Sequence, residues 1–496
     1  MTSTASSMAL AAHGAPDAFI MAQATPSENP GNLLQQLARG LETRSIGYCQ
    51  WKGVWRTGSG SDIDLLVNSE AIPAFRSLVQ ELGFTPVLPS GERQIAGVES
   101  YLGHDPNVSR PLHLHVHYQL VVGDYWRTVY RLPIERPMLE GSQGGELFRV
   151  PSPPYQLLVY VLRMMLRLRG WPLPLSQARW LSGIQGQLDY LEGRSDRDAL
   201  GAILAHHLPI VDLRFLDRCL QALRGQSDPA ESASVRRDLH RRLRAHSRAP
   251  SLVALLAACG EKVLPSPLRP MLFDGRMRPT SGGVVVALVG GDGAGKSTCA
   301  RELCDWLGAD LPVRHAHLGR PPRSLLTLIV GGALKAERLW YRLVRRDPPA
   351  GSHIELLRHL CTARDRHLLY TRVRRHAVAG GIAICERYPT REDRLLVGPC
   401  IPELLGPEPT RFGRLLRDTE SRYYTRMLPP DTLFVLQLDP ELAVARKLDE
   451  PADYVRARTR VIWETDWSRT RAQVIDVSRP LADVVQDLKT RVWSAL

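Results

Sequence analysis

Apolar and polar positions divide the chain into stretches of different period. Between residues 33 and 150 short apolar runs alternate with stretches of helical period, which predicts a small α/β domain. From 151 to 268 the period is helical, which predicts a helical domain or connector. The Pro- and Gly-bearing residues 269–283 are typical of a linker, and the Ala-, Ser- and Pro-rich residues 1–32 are typical of a disordered tail.

Beyond the linker, residues 284–496 alternate between short apolar runs and helical segments. This alternation predicts a doubly wound parallel sheet with helices on both faces, so the fold class is α/β. The predicted parallel strands are 284–289, 313–318, 381–385, 433–438 and 473–477. In such folds ligands bind at the carboxyl ends of the strands.

A glycine-rich loop follows the first of these strands and matches the pattern G-x-x-x-x-G-K-[ST]. It consists of Gly290, Gly291, Asp292, Gly293, Ala294, Gly295, Lys296, Ser297 and Thr298. Its backbone N–H groups and the N-terminus of the following helix are expected to bind phosphate oxygens. Lys296 would reach the β- and γ-phosphates, and the Ser297 hydroxyl would ligate Mg²⁺. The sequence therefore predicts ATP as a ligand.

Composition narrows the partners more than the fold. The 496 residues carry a formal net charge of +13. The basic residues of the arginine clusters alternate with apolar residues at helical spacing, which favours solvated helix faces over a nucleic-acid-binding surface. No apolar run approaches the roughly 20 residues of a membrane span. The start of the chain lacks the basic residues of a secretory signal, and the eight cysteines include no C-x-x-C pair, so we expect a cytoplasmic protein with reduced thiols.

A series of further motifs follows the glycine-rich loop along the chain. They are Ala363-Arg364-Asp365-Arg366-His367, Glu386-Arg387-Tyr388, Leu438-Asp439-Pro440, Ala445-Arg446-Lys447 and Val474-Ile475-Asp476. With the Asp292-Gly293 pair inside the loop, this series resembles thymidylate kinase and the wider group of nucleoside monophosphate kinases. The resemblance covers residues 284–496 and implies phosphoryl transfer from ATP with Mg²⁺.

The resemblance also implies roles for single residues. Lys296 would hold the donor triphosphate, and Arg387, whose guanidinium suits bidentate phosphate contact, would hold the acceptor phosphate. Asp292 would hold an acceptor hydroxyl and Arg366 would reach the base side of the acceptor. Glu386 would orient Mg²⁺ through water or position the attacking group, and Arg446 would add positive charge at the transferring phosphoryl group.

Other features leave the acceptor open. The arginines at 456, 458 and 460 either supply further charge to the same group or form a solvated helix face, and the sequence does not choose among them. The segment 389–399 lacks the Tyr-Gln that ends the thymine-binding segment of thymidylate kinases, and Leu318-Gly319-Arg320-Pro321-Pro322 replaces their Arg-Glu-Pro-Gly-Gly-Thr turn. The predicted acceptor is thus a nucleoside monophosphate, thymidylate-like, or a similar phosphorylated compound.

A second motif lies near the N-terminus. The segment 58–67, Gly-Ser-Gly-Ser-Asp-Ile-Asp-Leu-Leu-Val, follows Lys52-Gly53 and resembles the active-site strand of the nucleotidyltransferase superfamily. Asp62 and Asp64 at positions i and i+2 of a strand point to the same face, where both could ligate Mg²⁺. That superfamily usually has a third carboxylate on a later strand, and His115 occupies its place here.

Because neutral imidazole is a poor Mg²⁺ ligand, His115 leaves several interpretations open. The domain could have weakened or altered transferase activity, or it could only bind. The alternating histidines at 113, 115 and 117 could ligate a transition metal or be structural. For the whole chain the sequence favours a P-loop kinase over nucleotidyl transfer through Asp62 and Asp64 and over a nucleotide-sensing regulator without turnover. A homodimer is left open.

Overall fold

A computed structural model gives the fold of most of the chain. It describes residues 32–52, 62–89, 95–124, 128–168, 175–248, 276–346, 351–390, 398–406 and 409–496. The predicted tail, except for Asn32, lies outside these residues, and so does the part of the N-terminal motif that precedes Asp62. The thymine-segment counterpart at 391–397 also lies outside them.

The chain divides into two units whose bounds do not follow the sequence strictly. The first comprises 1–82, 91–101 and 113–274, and the second comprises 83–90, 102–112 and 275–496. The domain boundaries at 150, 268 and 283 stay predictions. Within the predicted linker, Met277–Pro279 forms a strand.

The described part of the chain before residue 280 contains short strands as well as helices. The strands are β1 (Tyr48–Lys52), β2 (Ile63–Val67), β3 (Thr85–Pro89), β4 (Val98–Gly103), β5 (Leu112–His117), β6 (Val121–Asp124), β7 (Thr128–Arg131) and β8 (Met277–Pro279). In the first unit β2 lies between β1, which is antiparallel to it, and β5, which is parallel to it. β6 and β7 form an antiparallel pair. In the second unit β3 pairs with β8, also antiparallel.

The helices of the first unit cluster after residue 150. They are α1 (Leu33–Thr43), α2 (Ile72–Glu81), α3 (Glu135–Glu140), α4 (Pro153–Arg167), α5 (Leu175–Arg194), α6 (Arg197–His207), α7 (Leu213–Leu223) and α8 (Pro229–Arg242). α4 is apolar around most of its circumference and is therefore buried, with Leu158 and Met165 fully enclosed. Asn32 caps α1 by accepting a hydrogen bond from the Leu34 N–H at 2.9 Å.

The second unit is built on a five-stranded sheet. Its strands are β9 (Val285–Gly290), β10 (Val313–His317), β11 (Ile382–Glu386), β12 (Thr432–Gln437) and β13 (Gln473–Asp476). They are hydrogen-bonded in the order β10-β11-β9-β12-β13 and every pair is parallel. This parallel pairing confirms the predicted α/β class. A helix between two successive strands allows both strands to run in the same direction.

Helices cover both faces of this sheet. The helices of the second unit are α9 (Lys296–Gly308), α10 (Leu325–Leu343), α11 (His353–Val378), α12 (Ile401–Leu404), α13 (Arg411–Thr425), α14 (Pro440–Arg446), α15 (Ala452–Glu464) and α16 (Leu481–Trp493). Alternate residues of β9 enter different cores: Val286 packs with α9 and α16, and Val285 with α11. The carboxyl ends of β9 and β11 therefore meet at one edge. Among the described residues, no helix is both long and apolar enough to cross a membrane.

Candidate functional site

The predicted phosphate loop connects β9 to α9. β9 ends at Gly290 and α9 begins at Lys296, and Gly295 caps the helix with a φ of 77°. A side chain is strained in this left-handed conformation, so the position favours glycine. Ala294, in the loop, is buried in the same hydrophobic core as residues of α9. The loop thus lies at the N-terminus of a long helix, where partial positive charge favours an anion.

Lys296 folds back over this loop. Its side chain is largely buried, and its ammonium donates to the carbonyl oxygens of Gly290 at 3.0 Å and Gly291 at 2.5 Å. These contacts hold the charge above the loop, where it would meet the oxygens of a bound phosphate. The predicted position of Lys296 at the loop is therefore consistent with a phosphate-binding role.

Glu386 ends β11 and lies beside the loop, because β11 is the parallel neighbour of β9. One carboxylate oxygen accepts a hydrogen bond from the Ser297 hydroxyl at 2.6 Å, and the other lies 2.8 Å from Nε2 of His315 on β10. Burial raises the pKa of Glu386, but these two hydrogen bonds outweigh it and the pKa is lowered. The site thus holds a charged carboxylate and a hydroxyl together, which are oxygen ligands that suit Mg²⁺.

Two arginines share the carboxylate of Asp292 in the loop. Arg387 forms an ion pair with Oδ1, and Nε of Arg458, on α15, lies 2.8 Å from Oδ2. Burial raises the pKa of Asp292, but the charges of Arg387 and Arg458 more than offset it, so the carboxyl stays ionised. Arg387 has a φ of 51°, a conformation that costs free energy in a non-glycine residue and is enriched at functional sites.

The other two predicted arginines contact backbone elsewhere in the second unit. Arg366 is buried; its Nε donates to the Leu318 carbonyl at 2.7 Å and its guanidinium to the Tyr424 hydroxyl. Arg446 is exposed at the end of α14 and donates to the Val477 carbonyl at 3.0 Å. The roles predicted for them at the acceptor base and the transferring phosphoryl group stay predictions.

In the first unit the register of three strands assembles a second cluster. Asp64 pairs with Lys52 across β1 and with His115 across β5. Its Oδ2 lies 2.8 Å from the Lys52 ammonium, and its Oδ1 lies 3.3 Å from Nδ1 of His115 and 3.9 Å from Nε2 of His117. Asp62 is mostly exposed, and its Oδ1 lies 3.0 Å from Nδ1 of His113.

Burial shifts the pKa values of Asp64 and His117 in opposite directions. It raises the pKa of Asp64, but the hydrogen bond from His115 and the charge of Lys52 outweigh it and hold the pKa well below its usual range. Burial lowers the pKa of His117 to about 3. The hydrogen bond from His113 is the main cause of the lowered pKa of Asp62. Asp64 is therefore an anion and His117 a neutral imidazole at neutral pH.

Asp62 and Asp64 do not form a typical Mg²⁺ site. Mg²⁺ prefers oxygen ligands in near-octahedral geometry, whereas the groups around Asp64 are an ammonium and two imidazoles. Lys52 also occupies one oxygen of the Asp64 carboxylate. The fit of Mg²⁺ to the predicted pair is therefore poor.

Comparison with known proteins identifies two relatives, while no family model matches the chain. The chain is 28% identical over 224 residues to a thymidylate kinase from Symbiobacterium thermophilum, covering 43% of this chain and 94% of that protein. It is 26% identical over 224 residues to YghS, an uncharacterized ATP-binding protein from Escherichia coli, covering 43% of this chain and 93% of that protein. These similarities indicate a region like a P-loop NTPase.

Two residues that contact the groups around the phosphate loop were missed by the sequence analysis. The sequence did not choose Arg458 from the arginines at 456, 458 and 460, although only one of these positions faces Asp292. His315 lies on β10, next to β11, and reaches Glu386. A usable signal for His315 was its place near the carboxyl end of a predicted strand, since parallel strands end at a common edge.

Proposed function

We propose that the second unit transfers a phosphoryl group from ATP, with Mg²⁺, to a nucleoside monophosphate, thymidylate-like, or to another phosphorylated acceptor. The observation that carries the proposal is the joining of the phosphate loop to the end of β11, through the Ser297–Glu386 hydrogen bond and the Asp292–Arg387 ion pair. The similarity to a thymidylate kinase and to an ATP-binding protein supports it.

On the donor side Lys296 and the loop N–H groups would hold the triphosphate. Ser297 and Glu386 would hold Mg²⁺, directly or through water, and the ion would neutralise phosphate charge. The lowered pKa of Glu386 keeps its carboxylate charged over the working pH range. Catalysis of this kind depends mainly on positioning and charge neutralisation, which these groups supply.

On the acceptor side Arg387 and Arg458 would supply positive charge beside the loop. Both are paired with Asp292 in the structure, so on phosphate binding the two arginines would exchange one anionic partner, Asp292, for another, the phosphate. Asp292 would then be free to accept a hydrogen bond from an acceptor hydroxyl. A guanidinium presents several N–H groups in one plane, which matches the oxygens of a phosphate monoester.

The test is an ATP-consumption assay of the full chain against a panel of acceptors. The panel contains dTMP, other nucleoside monophosphates and sugar phosphates, with ADP formation and the phosphorylated product both measured. We expect ADP formation to depend on one class of acceptor, and Lys296→Ala to lower it at least about 100-fold, as losing a main charge contact to the transition state would. Lys335→Ala, which removes an exposed lysine on α10, is the matched control and should behave as wild type.

The outcomes separate the candidate functions. If ATP binds but no nucleotide accepts phosphate, the nucleotide acceptor is wrong while ATP binding stands. If wild-type protein binds ATP with no turnover on any acceptor, a nucleotide-sensing regulator replaces the kinase. If pyrophosphate is released instead of ADP, and Asp64→Asn abolishes the release, nucleotidyl transfer in the first unit is the activity.

A further inference from the structure

In the cluster on β1, β2 and β5, the two oxygens of one carboxylate contact different kinds of group, which an ordinary ion pair does not require. The two oxygens of Asp64 face different chemistry: Oδ2 contacts the Lys52 ammonium, and Oδ1 faces the nitrogen atoms of His115 and His117. The nearest potential ligand atoms of Asp64, His115 and His117 all lie within 4.8 Å of one another. One carboxylate oxygen and two imidazole nitrogens therefore surround a common small volume.

His117 is the member of the cluster that the fold leaves unexplained. Its side chain is fully buried, and no hydrogen bond from the described residues reaches its Nε2. The Trp51 ring packs edge-on against it at 4.9 Å between centroids and closes one side of the cluster. A buried polar nitrogen without a partner is costly and rare, so the site is expected to gain a ligand that accepts the nitrogen lone pair.

We propose that Asp64, His115 and His117 bind a first-row transition-metal ion, with Zn²⁺, Co²⁺, Mn²⁺ and Fe²⁺ as the candidate ions. Two imidazoles and one carboxylate are a donor set that suits these ions and suits Mg²⁺ poorly. At metal–ligand distances of about 2.0–2.1 Å, tetrahedral ligand atoms lie about 3.4 Å apart. The observed separations of 3.3 Å and 3.9 Å from Oδ1 are close to this value, and no two of the three ligand atoms lie more than 4.8 Å apart.

Lys52 has a defined place in this arrangement. Its contact with Oδ2 fixes the orientation of the carboxylate and leaves Oδ1 for the ion, as groups just outside a metal site commonly do. His115 would bind through Nδ1, with its remaining proton on Nε2. With three protein ligands the ion keeps at least one position for water or a substrate, which is the pattern of catalytic rather than structural sites.

The proposal is tested on the full chain, stripped of metal with a chelator and titrated with Co²⁺ in the absence of nucleotide. Visible d–d absorption reports the ion and its ligands. We expect one Co²⁺ per chain, retained in a large excess of Mg²⁺ and displaced by Zn²⁺. Asp64→Asn, His115→Gln and His117→Gln should each weaken Co²⁺ binding by more than about 100-fold, since even groups outside the coordination shell contribute 10- to 100-fold.

Two controls keep the ligand set falsifiable. His113→Gln changes the neighbouring histidine, whose Nδ1 contacts Asp62, and should bind Co²⁺ as wild type does. Lys296→Ala, which alters the phosphate loop, should also bind normally. Loss of binding in His113→Gln alone would overturn the assigned ligands, and wild-type protein that binds neither Co²⁺ nor Zn²⁺ would overturn the site.

A second measurement does not depend on the variants folding. X-ray absorption of the Zn²⁺-loaded wild-type protein should show two imidazole ligands and at least one oxygen ligand. A coordination shell of oxygen atoms alone would mean that the ion binds elsewhere, and the proposal would then be wrong.

Discussion

Arg458 makes the clearest quantitative prediction, because two arginines on the same helix serve as controls. Arg458 lies 2.8 Å from Asp292, and the side chains are only 24% and 10% exposed. Arg456 instead pairs with Glu441, which is 67% exposed, and the Arg460–Glu464 pair is 56% and 66% exposed at 3.6 Å. Ion pairs between exposed groups contribute little to stability.

Replacing Arg458 with methionine keeps most of the apolar stem and removes the charge. Asp292 would keep Arg387 as a partner, so we expect a loss of about 1–2 kcal/mol, the lower part of the range for hydrogen bonds and ion pairs to buried charges. With a urea dependence near 2 kcal/mol per M, the unfolding midpoint should fall by about 0.5–1 M. Arg456→Met and Arg460→Met should leave the midpoint within experimental error.

The assay must separate the two units of the chain, because their unfolding need not be a single transition. Urea unfolding with and without ATP assigns the transitions, since a ligand stabilises only the unit that binds it. The lowered midpoint of Arg458→Met should belong to the transition that ATP shifts. If Arg458→Met unfolds with wild type while Arg456→Met is destabilised, the assigned pairing with Asp292 is wrong.

Three further predictions concern the second unit. Glu386→Gln should destabilise the protein near pH 7, because the pKa of this carboxyl is lowered from its usual 4.5 and its ionised form therefore stabilises the fold. The difference in stability between the variant and the wild type should shrink as the pH falls below 4.5. A pH series of urea unfolding midpoints measures this difference. Arg366→Met should lower the melting temperature even without nucleotide, because the buried guanidinium holds a backbone carbonyl; an unchanged melting temperature with lost activity would favour a contact with the acceptor. Gly291→Ala should weaken ATP binding measured by calorimetry, because a Cβ there would lie 2.9 Å from the Thr459 Cα, whereas Gly308→Ala, with open space around it, should not.

Much of the second unit could be predicted because its signals are local. The strands and the phosphate loop depend on runs of a few neighbouring residues, and the observed strands differ from the predicted ones by no more than one residue at each end. The approach of Glu386 to Ser297 could also be anticipated, since parallel strands end at one edge.

Other features depend on contacts between residues that are far apart in the sequence. β8 formed in a segment predicted as a linker because β3, almost 200 residues earlier, offers it an antiparallel partner. The choice of Arg458 follows from the rotation of α15, whose Thr459 lies against Gly291. A helical period gives the spacing of side chains but not which one faces a given loop, so no local pattern could make this choice.

The phosphate loop also shows why its basic residues cannot be counted as free binding charges. Lys296 donates to loop carbonyls, Arg387 and Arg458 share Asp292, and the Ser297 hydroxyl donates to Glu386. Each of these side chains therefore has a partner within the chain. A bound triphosphate must replace those partners, so its net affinity is the difference between two sets of contacts. The same partners hold the charged groups at the loop before the ligand arrives, which lowers the cost of ordering them on binding.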